Sequence, residues 1–291
     1  MTFPAAGDLP DIADLADALV VRGDLDRAEE VLRDGLFASP GSLRLQEDLA
    51  NLLIRRGKVA ESLALLDGLA TACAKAGMPG RAIAALKKLA RFHPEALQDA
   101  GRRIAALAKQ RDHELAQASP ARSDGDRGRP PDEPGTGHAA GSPAIRSPLF
   151  GSFSADELAA VIHGLDLLSF APGDLVVSQG EAGRSLFVVV SGNLKVWVRE
   201  DEGRSRHVRS LGEGDFFGEV SLLTGRPRTA TVTAAARTDL LELGWSRVEE
   251  IVRDHPRVAD VLRAVCDERL KADRAAHATP VPGTEAGSNA T

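Results

Sequence analysis

A stretch rich in glycine, proline and serine divides the chain and limits how it can fold. Half of the positions at 119–148 are of these three types, and Ile145 is the only large aliphatic residue among them. Such a composition cannot bury enough apolar surface to offset the entropy lost on ordering. The regions on either side, with no apolar pattern bridging them, are therefore expected to be structurally independent. The predicted divisions are folded regions at 9–110 and 149–271, a disordered linker at 111–148, and a disordered tail of similar composition at 272–291.

The region at 9–110 carries a helical pattern throughout. Its apolar residues recur every three or four positions, and no strand-like alternation interrupts them. Gly23 and Gly57 lie in turns, and the spacing between them equals the tetratricopeptide period. A third unit, around Gly77, follows too soon for that period, and aliphatic residues stand at the usual aromatic positions, so an unrelated helical bundle is the alternative. The segment resembles the tetratricopeptide repeat family, which implies a concave face for a peptide or helix of a protein partner.

The region at 149–271 carries a different pattern, of short β-rich runs separated by turn residues. A capping box from Ser154 to Glu157 opens a helix before them. Many short strands with regular turns are typical of a β-barrel or jelly roll. The predicted fold class is thus a multidomain α and β protein, with an all-α helical repeat array followed by a β-barrel or jelly roll with flanking helices. The runs are 167–170, 175–178, 186–191, 194–199, 207–211, 229–234 and 239–243.

The segment at 217–231, inside the β-rich region, is too long for a tight hairpin and too apolar for a plain surface loop. Gly218 allows the backbone to approach a ligand closely. A helical turn starting at Glu219 would direct free N–H groups at an anion. Arg228 offers a planar donor fork suited to a phosphate, and Glu219 offers an acceptor for the hydroxyls of a ribose. One carboxylate and one guanidinium in the same cavity fit a sugar that carries a single negative phosphate.

This segment resembles the phosphate-binding cassette of the cyclic nucleotide-binding domain family. The matching residues are Phe217-Gly-Glu219, an apolar turn, and Pro227-Arg-Thr-Ala-Thr231, and the runs 186–192 and 211–216 upstream match as well. The resemblance implies that Arg228 contacts the cyclic phosphate, with backbone N–H groups of Ser221 and Thr229, and that Glu219 contacts the ribose 2′-OH. It also implies that Glu181 orients the arginine from behind. The predicted binding residues are Phe217, Gly218, Glu219, Val220, Ser221, Arg228, Thr229 and Ala230.

The expected ligand is cyclic AMP or cyclic GMP, and no metal or other cofactor is expected. A threonine after the arginine, as at Thr229, occurs in family members of either preference, and we favour cyclic AMP. A later helix has an apolar stripe that includes Val258, Val261 and Leu262. The stripe indicates packing on the barrel, and the resemblance implies a lid over the base, for which Arg263 and Arg269 are candidates.

Composition argues against several other classes of protein. The net charge of −6 is not that of a bulk nucleic-acid binder. The stretch after Leu270 is short and contains Pro280 and Pro282, so a helix-turn-helix of the catabolite-activator type is not expected.

The chain has no Gly-x-Ser-x-Gly elbow and no Walker loop, and we expect no enzyme. No apolar run is long enough to span a bilayer and the first residues lack signal-peptide features, which predicts a cytoplasmic protein without membrane insertion.

These observations predict a cyclic nucleotide-sensing signalling adaptor. Its barrel would bind the nucleotide, and its helical repeats would bind a protein partner. The alternative is a degenerate barrel that serves only as a protein-interaction scaffold. Degenerate members of the family lack the arginine or the glutamate, whereas this chain has both Arg228 and Glu219.

Overall fold

The computed structural model describes residues 11–107, 148–200 and 204–278. Within these ranges a helical array is followed by two antiparallel sheets with flanking helices, which confirms the predicted arrangement of an α region before a β region. The predicted linker lies outside the described residues apart from Pro148. The predicted tail also lies outside them, apart from 272–278, which continue the last helix.

The array consists of helices that pack against their neighbours in the chain. Side chains of Asp11, Asp24 and Ser42 cap the first three helices by accepting backbone N–H groups. Left-handed glycines with φ near +80°, Gly23 and Gly77, end the first and fourth. The helical region is therefore confirmed, while its assignment as repeats stays a prediction. The elements are α1 (Ile12–Arg22), α2 (Leu25–Ala38), α3 (Leu43–Arg55), α4 (Val59–Ala76), α5 (Pro79–Ala90), a 3-10 helix (Pro94–Leu97) and α6 (100–107).

The second region is a barrel of two four-stranded sheets. One sheet has the strand order β1-β8-β3-β6 and the other β2-β7-β4-β5. The predicted capping box of Ser154 and Glu157 is present at the start of α8. The elements are α7 (Pro148–Gly151), α8 (Ala155–Gly164), β1 (Asp166–Phe170), β2 (Leu175–Val177), β3 (Ser185–Ser191), β4 (Leu194–Arg199), β5 (Ser205–Leu211), β6 (Phe216–Phe217), α9 (Glu219–Thr224), β7 (Thr231–Ala234), β8 (Thr238–Gly244), α10 (Trp245–Asp254) and α11 (Arg257–Ala278).

The array packs directly on the barrel, so the expectation of two structurally independent regions is wrong. Helix α5 lies against β1 and β3, and one apolar cluster includes Ile83 and Leu86 of α5 together with Val188 and Val190 of β3. Strand β3 is buried on both faces because the barrel interior covers one face and the array covers the other. The composition of the linker indicates only how the two regions are connected. Whether they pack together depends on the apolar surfaces of α5 and β3, which are buried against each other.

Asp48 on α3 lies at this interface without a hydrogen bond to its Oδ2 atom from any described residue. Burial raises the pKa of Asp48 to about 6, and the charge of Asp17 contributes. A carboxyl group whose pKa is raised by folding destabilises the protein as the pH rises through the interval between the unfolded and folded values. The stability that protonated Asp48 contributes at low pH is therefore lost as the pH rises from about 4 to about 6.

We expect Asp48→Asn to raise the free energy of unfolding by about 1–2 kcal/mol at pH 8, because an amide carries no buried charge. The gain should vanish near pH 4, where the native carboxyl is already protonated. Urea unfolding at both pH values measures this difference, with exposed Asp34→Asn as the control. A gain that is the same at pH 4 and pH 8 would contradict the assignment.

Candidate ligand site

The predicted cassette begins where β6 ends, at a glycine that the local geometry requires. Gly218 has φ of 88°, and a Cβ atom there would lie 2.5 Å from the carbonyl oxygen of Ser185 and 2.7 Å from Nη1 of Arg228. No other residue fits that space without moving the strand. Helix α9 follows directly, as the sequence predicts, and fully buried Leu222 anchors it in the core.

Arg228 is held in a fixed position by backbone groups around it. Its residue is only 6% exposed, and Nη1 donates to the carbonyl of Ser185 at 2.8 Å and to that of Gly218 at 3.5 Å. The guanidinium carbon lies 5.3 Å from the centre of the Phe187 ring. One side of the guanidinium is thus bound to the barrel wall, which orients its planar donor fork.

The charge of Arg228 is retained despite its burial. Burial lowers the pKa of Arg228, and the nearby carboxylates of Glu242, Glu181 and Glu219 oppose that change. Because the ordinary pKa of an arginine lies so far above neutrality, the guanidinium stays a cation at every physiological pH. A buried permanent cation beside a cavity is a site that an anion can satisfy.

One cavity of about 90 Å³ brings the predicted binding residues together. All eight of them line it, including Glu219, whose residue is also only 6% exposed. Four lining residues were not predicted from the sequence. The full lining is Val177, Val196, Arg209, Phe217, Gly218, Glu219, Val220, Ser221, Arg228, Thr229, Ala230 and Val232.

The four additional residues form one row across the second sheet. In the strand register Val177 lies opposite Val232, Val232 opposite Val196, and Val196 opposite Arg209. Three valines therefore make an apolar wall that ends with a cation on β5. Alternation within each β-rich run shows which residues share a face, but strand pairing decides which of them meet.

Glu181 reaches Arg228 through the backbone. Its carbonyl oxygen accepts from the Arg228 N–H at 2.9 Å, and the Gly180 N–H donates to the Arg228 carbonyl at 2.8 Å. The carboxylate of Glu181 accepts from the N–H of Ser178 at 3.1 Å. The side chain thus stabilises its own turn, and this turn positions the backbone of the arginine.

Helix α11 covers the cassette from outside the barrel. It packs on α7, α9 and α10 through a buried stripe that includes Val258, Leu262 and Cys266. Burial raises the pKa of the Cys266 thiol to about 12, and the charge of Glu219 contributes. Arg263 is exposed and pairs with Asp260, whereas the side chain of Arg269 lies outside the described part of the chain.

The described residues contain no helix that is both long and apolar enough to cross a membrane. In the same part of the chain, no group of three or more His, Cys, Asp or Glu residues is placed to hold a metal ion. Cys73 and Cys266 are both buried and free.

Residues 167–255 match the family model of the cyclic nucleotide-binding domain, which confirms such a domain within the predicted 149–271 region. Over 92 residues the chain is 42% identical to a cAMP-dependent protein kinase regulatory subunit of Mycosarcoma maydis, a match that covers 32% of this chain and 17% of that protein. Over 125 residues it is 31% identical to the cyclic AMP receptor protein of Thermus thermophilus, covering 43% of this chain and 58% of that protein.

Solved structures include similar chains. The Thermus thermophilus catabolite activator protein, known from a crystal structure, is 29% identical in sequence to this chain and superposes on it with a TM-score of 0.41. The match covers 45% of this chain and 61% of that one. The regulatory domain of Toxoplasma gondii PKA with cAMP is 36% identical with a TM-score of 0.34, covering 37% and 41%. The match spans less than two thirds of the length of each of these four relatives.

Proposed function

We propose that the chain is a cyclic nucleotide-sensing signalling adaptor. Its barrel binds cyclic AMP or cyclic GMP, and its helical array, built as tetratricopeptide-like repeats, binds a protein partner. The observation that carries the proposal is a single cavity lined by a buried guanidinium, that of Arg228, and a buried carboxylate, that of Glu219. The similarity to a cAMP-dependent protein kinase regulatory subunit and to a cyclic AMP receptor protein supports the ligand class.

Each part of a cyclic nucleotide has a matching part of the cavity. The phosphate is assigned to Arg228, whose Nη2 and Nε edge forms no hydrogen bond with any described residue and can donate to it in a bidentate manner while Nη1 is bound to the wall. The ribose hydroxyl is assigned to Glu219, because an ionised carboxylate only accepts hydrogen bonds. The base is assigned to the valine row, where apolar side chains suit the face of a purine.

The helical array offers a protein partner the surface that the barrel leaves uncovered. Helix α5 packs on both the array and the barrel, whereas α1 and α2 expose apolar side chains. Val21 is 87% exposed and Phe37 is 90% exposed. We therefore assign partner binding to the α1–α2 end of the array.

Isothermal titration of the full chain with cyclic AMP and with cyclic GMP tests the ligand assignment. The full chain is required because α5 covers the outer face of β3, and a fragment at 149–271 would expose that apolar surface. We expect saturable one-site binding of at least one nucleotide, with cyclic AMP preferred. If neither nucleotide binds, the scaffold interpretation of the barrel replaces this one.

Glu219→Gln is expected to remove discrimination between a cyclic nucleotide and its 2′-deoxy analogue. The native carboxylate should favour the intact ribose by at least about tenfold, since a charge-assisted hydrogen bond contributes about 1.5–3 kcal/mol. The variant should bind both ligands about equally and more weakly. Titration with both ligands measures this, with the exposed and distant Glu30→Gln as the control. If Glu219→Gln retains the native preference, the carboxylate does not contact the ribose.

A further inference from the structure

The array and the barrel are joined by a pair of groups that leads toward the ligand cavity. Arg81 at the start of α5 makes a bidentate contact with Glu213, with Nε–Oε1 at 2.7 Å and Nη2–Oε2 at 2.8 Å. Both side chains are mostly buried. Glu213 lies in the turn between β5 and β6, shortly before Gly218 of the cassette.

That turn is attached to β3 by two backbone hydrogen bonds. The Gly214 N–H donates to the carbonyl of Val189 at 2.9 Å, and the Val189 N–H donates to the carbonyl of Asp215 at 2.8 Å. Immediately afterwards β6 pairs with β3, with Phe217 opposite Phe187. The chain from Glu213 to the cassette therefore has little freedom to move independently of β3.

Strand β3 itself connects the array to the phosphate-binding arginine. At one end the Ser185 carbonyl accepts from Arg228, and the Phe187 ring lies under the guanidinium. Farther along, Val188 and Val190 belong to the apolar cluster shared with α5. The same strand thus carries the support of Arg228 and the contact surface of the array.

We propose that docking of the array on the barrel strengthens nucleotide binding, with the Arg81–Glu213 contact as the connection between them. The inference rests on the proposed function. Docking holds β3 and the β5–β6 turn in place, which fixes the acceptor of Arg228 and orients the guanidinium for a phosphate. An oriented group binds more tightly because less freedom is lost on binding. By reciprocity, nucleotide must strengthen docking by the same factor.

A charge-reversal cycle on the full chain tests this coupling. We expect Arg81→Glu and Glu213→Arg each to weaken cyclic AMP binding by at least about fivefold, within the usual range of coupling between sites. The double variant, in which the pair is restored with reversed polarity, should bind within about twofold of the native chain. The control is Arg102→Glu, which breaks an exposed contact to Asp156 between the same two regions but away from β3, and it should leave affinity unchanged.

Hydrogen exchange supplies a readout that a purely structural role would not change. Nucleotide should slow exchange in residues 79–90 of the native chain, and each single variant should lose this effect while keeping protection at 217–231. Native affinity in both single variants overturns the coupling and leaves the proposed function intact, as does equal weakening in the single and double variants. A native chain that binds neither cyclic AMP nor cyclic GMP overturns the proposed function, and the coupling with it.

Discussion

Arg228→Ala is expected to weaken cyclic nucleotide binding by at least about 30-fold. Truncating one partner of a buried, hydrogen-bonded charge pair costs about 2–5 kcal/mol, much of it from leaving the other charge unpaired. Here the unpaired group would be the cyclic phosphate, in a cavity whose other charged groups are the carboxylate of Glu219 and, at the far end of the valine row, the guanidinium of Arg209. Isothermal titration measures the loss directly, and Arg228→Lys should recover part of it, because an ammonium keeps the charge without the donor fork.

Two further measurements keep that result interpretable. Arg226→Ala removes an exposed arginine close by in the sequence and should bind nucleotide as the native chain does. Because Arg228→Ala also leaves the carbonyl of Ser185 without its donor, urea unfolding must show that the variant is folded under the titration conditions. A folded Arg228→Ala variant with native affinity would show that the phosphate binds elsewhere.

The cassette could be predicted because its chemistry is local in the sequence. Gly218, Glu219 and Arg228 lie within one short segment, and the glycine, the helical turn and the arginine each have a recognisable role. The opposite wall of the cavity could not be found in this way. Val177, Val196 and Arg209 come from three separate strands, and they meet only because of the strand register, which is set by the whole barrel.

The packing of the array on the barrel could not be predicted, for a different reason. The apolar residues of α5 fit an amphipathic helix within an array, and nothing in their spacing distinguishes burial against a helix from burial against a sheet. A lysine such as Lys88 is typical of a solvated helix face, whereas this side chain is only 9% exposed. A near-continuous apolar run at 186–190 was the available signal, since a strand with only one buried face would alternate.

Lys88 occupies the centre of this interface between two carboxylates. Its Nζ lies 2.6 Å from Oε1 of Glu47 on α3 and 2.9 Å from Oδ2 of Asp239 on β8. The other oxygen of Asp239 accepts from the Ser169 hydroxyl at 2.6 Å. Burial raises the pKa of Asp239, but the ammonium of Lys88, the Ser169 hydroxyl and the charge of Arg237 together hold that pKa below its ordinary value. The carboxylate of Asp239 therefore stabilises the native chain above the unfolded pKa, and this contribution is lost as the pH falls through the folded pKa.

Lys88→Met is accordingly expected to lower the free energy of unfolding by about 3–5 kcal/mol at pH 7.5, since it leaves the buried carboxylate of Asp239 and the mostly buried carboxylate of Glu47 without the ammonium that they share. Methionine keeps the length and apolar stem of the side chain, so the loss is mainly electrostatic.

The destabilisation by Lys88→Met should also depend on pH. Without the ammonium, burial raises the pKa of Asp239, and protonation of this carboxylate then relieves its repulsion with Glu47. The gap between native and variant stability should therefore narrow as the pH falls from 7.5 toward about 4.5, because protonation of Asp239 stabilises the variant while the native chain, whose Asp239 pKa lies below its ordinary value, keeps its ion pair. Urea unfolding at the two pH values measures this gap, and exposed Lys75→Met on α4 should stay within about 0.5 kcal/mol of the native chain. If Lys88→Met is as stable as Lys75→Met at pH 7.5, the buried ammonium does not hold the array on the barrel.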